Sequence, residues 1–286
     1  MKKLKENRGM SFLILTVVYI LATAVGIWTY GVLSLPWWLA LLVADTAATV
    51  FTFLFSLLLD NASVYDPYWS VQPPVILLAF ALGKDLTFLG VCLLFVVSFW
   101  AVRLTANWAY TFGDLTHQDW RYTMLKEKTG VCYPIINFVG IHMVPTLVVY
   151  GCVLPAVFAL REGLGANVGS ILCLCLSLGA ATMQGIADIE MHTFQKHRDS
   201  TFIRRGLWKY SRHPNYLGEI LMWWGIGLSV VLASPNNWYL LAGAVANTLL
   251  FLFVSIPLAE GKQAKKEGYV QYKKETRMLL PLKPWH

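Results

Sequence analysis

Charge is scarce in this chain. Only 14% of its 286 residues are Asp, Glu, Lys or Arg, against 57% apolar, and the mean hydropathy is +0.54. That balance excludes an ordinary soluble domain, and it excludes a disordered, highly charged one. Cysteine is sparse as well. The five (Cys92, Cys132, Cys152, Cys173, Cys175) are an odd number, and four lie in or near apolar runs. The pair in "LCLCL" is spaced i,i+2, so its thiols point to different faces of a helix. They read as small packing residues, with no disulfide and no metal expected. The chain also lacks internal repeats, low-complexity tracts and any nucleic-acid motif, so nucleic acid is not expected as a partner. No linker is long enough to separate domains. A single membrane domain, 1–286, is expected, with N-terminal spans in 1–59 followed by 60–133 and 134–286.

What the chain has instead is apolar runs of about 17–25 residues, the length that crosses a hydrocarbon core. They fall near 11–34, 37–59, 68–83, 86–111, 134–160, 168–191, 215–233 and 237–258. The fold expected is an all-α polytopic bundle of about eight transmembrane helices. "MKKLKENRGM" before the first run has the look of a signal peptide, but no small-residue cleavage site follows, so an uncleaved helix is expected. The third run carries Pro73 and Pro74, which kink helices, and a re-entrant segment is its alternative.

Basic residues favour eight crossings with both termini cytosolic. Lys2, Lys3, Lys5 and Arg8, then Arg121, Lys126 and Lys128, then six from Lys196 to Arg212, and seven from Lys262 to Lys283 all fall on one side. Only Lys84 and Arg161 are left for the other, the bias of the positive-inside rule. The net charge of +7 is mostly this bias, and anionic headgroups attract such segments. Arg103 sits inside the fourth run. It either snorkels to an interface or faces a polar cavity between helices.

Reactive side chains gather on the side taken as inner. In "DNASVYDPYWSVQPP", Asp66 precedes Pro67 at an apparent helix start, where a cap would place it. Capping leaves Tyr65, Tyr68, Trp69 and Gln72 around it unexplained. The connection from Gln118 puts Trp120, Met124 and Lys128 on one helical stripe, which suits a segment lying in the interface. The C-terminal stretch alternates charge with Tyr269 and Tyr272, as an amphipathic helix docked beneath the bundle would. In "YSRHPNYLGEI", Pro214 suits a first helical turn, with Arg212 or His213 at the cap. Asn215 and Glu219, four apart, share a face. A helix start beside Arg204, Arg205, Lys209 and Arg212 favours phosphate. Interfacial anchoring accounts for Tyr210, Arg212 and Tyr216, but not for Asn215 or for Glu219 a turn inside the membrane.

"GLWKYSRHPNYLGEI", with Asp188 upstream and "EGYVQYKKETRMLLP" downstream, resembles the membrane steroid 5α-reductase superfamily. "YDPYWS" is similar to a segment of its bacterial members of unassigned substrate (DUF1295-like). The resemblance runs from about residue 60 onward. It implies a helix bundle in a bacterial inner membrane, expected as a monomer, holding NADPH in a cavity open to the cytosol. A lipid-like substrate would enter from the bilayer, with 60–133 as the substrate side and 134–286 as the cofactor-binding half. It places Asn215, Tyr216, Glu219 and Asp188 on the cofactor, with Arg121 and Tyr122 from a loop. Arg204, Lys209, Tyr210, Arg212 and His213 join them near the phosphates, and Glu260, Tyr269 and Tyr272 form a closing lid. On the substrate side it gives Asp66 the place of the acid that polarises a 3-oxo group, with Tyr65 or Tyr68 as hydroxyl donor. Trp69, Trp100 and Arg103 would line the substrate, Trp100 standing at the family's tyrosine position. The reaction implied is hydride transfer to the conjugated C=C of an enone lipid such as a 3-oxo-Δ4 steroid. A methyltransferase using S-adenosylmethionine, of the related isoprenylcysteine or phospholipid type, is the enzymatic alternative. A non-catalytic lipid-binding protein is the third.

Overall fold

The computed structural model describes residues 2–197 and 200–280. Arg198 and Lys283, two of the basic residues placed on the inner side, lie outside the described residues. The helices that matter below are α1 (Arg8–Val32), α2 (Trp37–Leu58), α3 (Tyr68–Ala81), α4 (Phe88–Thr111), α5 (Trp120–Thr129), α6 (Val144–Glu162), α7 (Val168–Lys196), α8 (Pro214–Ala233), α9 (Ala242–Leu250), α10 (Ile256–Gln263) and α11 (Tyr269–Glu275). No strand occurs among the described residues, and one isolated parallel bridge joins Ser211 to Arg277.

Seven helical stretches among the described residues are long and apolar enough to cross a membrane. Two are composite. Trp120–Glu162 runs from α5 through a π-helical turn at Asn137–Met143 into α6, and Pro235–Gln263 contains α9 and α10. The remaining expected span, 68–83, is the 14-residue α3 with both prolines inside it. At 1.5 Å per residue such a helix reaches roughly 21 Å, short of a hydrocarbon core of about 30 Å.

The chain divides into two compact units, Met1–Ala79 with Leu104–Tyr150, and Phe80–Arg103 with Gly151–His286. In the first, α1 packs along α2 over a core of Leu15, Val18, Leu59, Val64, Phe112 and Leu115. The buried face of α2 is unusual for a membrane helix. Asp45, Thr49, Thr52 and Ser56 recur at helical spacing and are all buried, so a polar stripe runs along an otherwise apolar helix.

In the second unit, α7 and α8 form the main packing pair. Small residues permit it, as is usual where two helices approach closely in a membrane. A Cβ on Gly225 would lie 2.1 Å from Ser177 Oγ and 2.6 Å from the Cys173 carbonyl oxygen, and one on Gly218 would lie 2.8 Å from the Ala180 carbonyl oxygen. Ser177 Oγ also donates to the Met222 carbonyl (2.9 Å). Gly225→Val is therefore expected to overpack the seam and lower thermal stability by about 1–3 kcal/mol or more. Gly179→Ala is the control, because nothing lies within 4 Å of its Cβ position. Thermal unfolding of both variants in nanodiscs checks this; equal midpoints would refute the close seam.

Candidate functional site

The polar side chains picked out by the sequence fall into distinct clusters, each within one unit. The deepest belongs to the second unit and centres on Glu219, which is 5% exposed. Its Oε2 accepts from Trp100 Nε1 (2.9 Å) and Gln184 Nε2 (2.7 Å), and its Oε1 accepts from Trp223 Nε1 (2.8 Å). Gln184 accepts in turn from Arg103 Nη2 (2.6 Å), and Arg103 Nη1 donates to Asp188 (2.7 Å). A carboxamide can do this, taking a bond from a guanidinium through its oxygen and giving one to a carboxyl through its nitrogen. Gly218 leaves the room that Gln184 occupies. Of the two readings of Arg103, the polar one holds: its side chain is 14% exposed and lies among helices α4 and α7.

Sequence reading missed Gln184 and Trp223. Both leave a trace at helical spacing: Gln184 is four residues before Asp188 on α7, and Trp223 is four after Glu219 on α8.

The second cluster sits where α8 begins. His213 is the N-cap and Pro214 the first helical residue, with no side chain capping the turn. Arg212 is 8% exposed. Its Nε and Nη2 donate to Glu260 Oε1 (2.8 and 2.7 Å), and its Nη1 donates to the carbonyls of Lys273 and Thr276. Lys273 Nζ approaches Glu260 Oε2 at 2.6 Å, and His213 Nε2 approaches Oε1 at 3.4 Å. The guanidinium expected at a phosphate is thus turned onto the C-terminal segment. Tyr269 and Tyr272 close over Phe202, and the Tyr272 hydroxyl donates to the Trp208 carbonyl. Burial, and then the Glu260 carboxylate, push the Tyr269 phenol up to about 12.

Of the other expected phosphate residues, Arg204, Lys209 and Tyr210 are on the surface, whereas His213 is buried. Arg204 pairs with Glu275 (2.6 Å) with both side chains about half exposed, a geometry of little energetic weight. Lys209 Nζ lies 5.8 Å from the Tyr210 ring centre, and Tyr210 is 57% exposed. The His213 ring stacks on Tyr216 (5.2 Å, 4° between planes), and Asn215 Oδ1 accepts from the Tyr216 amide (3.1 Å).

In the first unit the structure separates Asp66 from its neighbouring tyrosines. Asp66 ends the 3-10 turn Ala62–Tyr65 with helical φ/ψ instead of capping α3, which corrects the capping reading. It is half-buried, and one carboxyl oxygen accepts from the Tyr122 hydroxyl (2.6 Å). Arg121, beside it, pairs with Asp119 (2.8 Å), whose side chain caps α5. The resemblance puts Asp66 on the substrate and Tyr122 on the cofactor; here the two bond each other. Tyr65 shares a hydrogen bond with Thr146 (2.7 Å), and its ring packs against Tyr68 and His142. Trp69 packs against the cluster formed by Ala22, Ala48, Tyr65 and Tyr68. A cavity of about 280 Å³ in this unit is lined by Ser56, Asn61, Gln118, Tyr133 and Asn137 among others, and by none of the expected site residues.

Burial raises the Asp66 carboxyl to about 6, against the opposing Tyr122 hydrogen bond and Arg121 charge. A carboxyl raised on folding contributes stability that is fully present below its ordinary value near 3.8 and lost as pH rises through about 6. Asp66→Asn is expected to flatten the stability profile over that window, and Tyr122→Phe to move the transition to higher pH. Unfolding midpoints measured from pH 4 to 7 test both; a profile identical in all three proteins would contradict them.

A family model described as "Protein of unknown function (DUF1295)" matches residues 52–276. An uncharacterized protein of Schizosaccharomyces pombe is 25% identical over 213 residues, covering 64% of this chain and 62% of that protein. The protein-S-isoprenylcysteine O-methyltransferase of Saccharomyces cerevisiae is 33% identical over 124 residues, covering 38% of this chain and 47% of that enzyme. The chain thus spans less than two thirds of the length of either relative. No solved structure matches it.

Proposed function

The chain belongs to the DUF1295 family, and we propose that it is a membrane-embedded, NADPH-dependent reductase acting on the conjugated C=C of an enone lipid such as a 3-oxo-Δ4 steroid. The observation that carries this reading is the buried relay Asp188–Arg103–Gln184–Glu219 beneath the start of α8. Polar groups this deep in apolar helices are costly, and their usual justification is a ligand or transport task.

NADPH, when bound, supplies the hydride. Its fit rests on α8, whose first turn has no side-chain cap, and on exposed Arg204 and Lys209 in the segment leading to it. Those basic side chains and the helix start would hold the phosphates. Arg212, Glu260 and Lys273 fix the C-terminal segment beside that helix start and so order the site. The relay holds Glu219, Gln184 and Arg103 in one geometry, the preorganisation that hydride transfer needs.

Similarity to the yeast methyltransferase favours a second reading, methyl transfer from S-adenosylmethionine to a lipid or isoprenyl thiol. Equilibrium binding separates the two. Full-length protein in nanodiscs is titrated with NADPH and, separately, with S-adenosylmethionine, and nicotinamide absorbance is followed with a 3-oxo-Δ4 steroid. The reductase reading expects NADPH binding and its steroid-dependent oxidation. Binding of S-adenosylmethionine alone would replace it with the second.

A further inference from the structure

We propose that Asp45 and Gln72 form a binding site, among the helices of the first unit, for the single oxygen-bearing end of an otherwise apolar lipid. The inference deepens the reductase reading and rests on it for the identity of the lipid, while the site itself stands on the geometry of this unit.

Asp45 lies in α2 and is 5% exposed; Gln72 lies in α3 and is 8% exposed. Among the described residues, neither carboxyl oxygen of Asp45 and neither polar side-chain atom of Gln72 has a partner in full hydrogen-bond geometry. The Gln72 amide and the Tyr68 hydroxyl lie close enough to interact with the Asp45 carboxyl, and Tyr65 and Tyr150 are nearby. Two polar side chains therefore meet in a buried place, with four hydrogen-bonding atoms unused between them.

The neighbours on the same stripe make this informative. Thr49 shares a hydrogen bond with Thr146 (3.0 Å), Thr52 Oγ1 donates to the Ala48 carbonyl (3.0 Å), and Ser56 Oγ donates to the Phe53 carbonyl (2.8 Å). Tyr65, one layer away, is engaged by Thr146. The packing of α2 thus satisfies its other buried polar groups and leaves Asp45 and Gln72 bare. Native proteins rarely bury polar atoms without a partner, and those that do so commonly present them to a ligand.

Chemistry narrows the ligand. Gln72 Nε2 donates and the Tyr68 hydroxyl donates or accepts, while the Asp45 carboxyl accepts from a hydroxyl or, as the acid, donates to a carbonyl. Together they suit one oxygen, a ketone or an alcohol. The same helix turns Trp38, Val43 and Leu54 outward as exposed apolar side chains, so the helix that carries the site has an apolar outer surface. That selects a lipid over a water-soluble, charged molecule. Asp66, the carboxyl that the "YDPYWS" segment draws attention to, is already bonded by Tyr122.

The test measures binding of a tritiated 3-oxo-Δ4 steroid and of its 3-hydroxy counterpart to the full chain in nanodiscs. It compares wild type, Asp45→Leu, Gln72→Leu and Asp45→Asn. Both leucine variants are expected to weaken steroid binding about tenfold or more, the loss of a hydrogen bond to a buried partner. Their melting midpoints should stay level or rise, because each removes an unpaired buried polar group, and NADPH affinity should be unchanged. Asp45→Asn keeps the shape and should keep part of the binding, so a general folding defect is told apart. The arm with the larger loss names the form bound, ketone or alcohol. Unchanged steroid affinity in both leucine variants would overturn the site, as would failure of the wild type to bind either steroid. Wild-type binding without steroid-dependent NADPH oxidation would leave the site standing and remove the reductase reading.

Discussion

Glu219→Leu is expected to be the most damaging single substitution in the second unit. The carboxyl is the shared acceptor of three buried donors, Trp100 Nε1, Gln184 Nε2 and Trp223 Nε1. Removing it strands all three in an apolar surround, at about 1–3 kcal/mol for each unsatisfied group. Some relaxation will recover part of this, so a net loss of roughly 3–5 kcal/mol is expected. Glu219→Gln is the informative partner. Two donors meet Oε2 and one meets Oε1, so a carboxamide oriented with its oxygen toward Trp100 and Gln184 disturbs only the Trp223 contact. Its loss should be near 1–2 kcal/mol, the cost of one unpaired donor. Thermal unfolding in nanodiscs measures both. Because the Trp100 and Trp223 rings lie 4.9 Å apart, their fluorescence should change in Glu219→Leu well before the midpoint. A leucine variant as stable as the glutamine one would mean that the three bonds carry little weight.

Arg212→Ala is expected to undock the C-terminal segment. Its guanidinium ties Glu260 on α10 to the carbonyls that end α11, and its backbone amide donates to the Arg277 carbonyl (2.9 Å). Truncation leaves the buried Glu260 with Lys273 and His213 as its remaining basic neighbours. Breaking one side of a buried pair costs about 3–5 kcal/mol, far more than breaking a surface pair. The effect should be local. Amide exchange of Tyr269–Glu275 is expected to rise at least tenfold, while α7 and α8 stay protected. Arg204→Ala, which removes the half-exposed pair with Glu275, should change exchange by less than about twofold. Protection of α11 that survives Arg212→Ala would show that the tyrosine packing alone holds the segment.

Much of the architecture was readable from the residues. A run of about 20 apolar side chains leaves the backbone few alternatives to a helix, so the long helices fall within a few residues of where hydropathy puts them. The start of α8 was readable too, since proline suits a first turn and His213 precedes it. The third apolar run was the exception, emerging as a helix too short to reach across. Glu219, Asp188 and Arg103 were identifiable as polar residues inside spans.

Their partners were not. Trp100 and Glu219 are 119 positions apart, and Arg212 and Glu260 are 48; nothing in local spacing says that they touch. Asp66 attracted attention because it stands before a proline among tyrosines, whereas Asp45, a lone carboxyl in an apolar run, was passed over. The order of residues alone makes the chain a helical membrane protein and marks which of its polar residues are expensive. Which of them are satisfied depends on how the helices pack: Glu219 is met by three donors, Asp66 by Tyr122 and Arg212 by Glu260, whereas Asp45 and Gln72 have no partner in full hydrogen-bond geometry among the described residues. The physical reason is that helix formation depends on neighbours a few residues away, whereas satisfying a buried polar group depends on how separate helices pack.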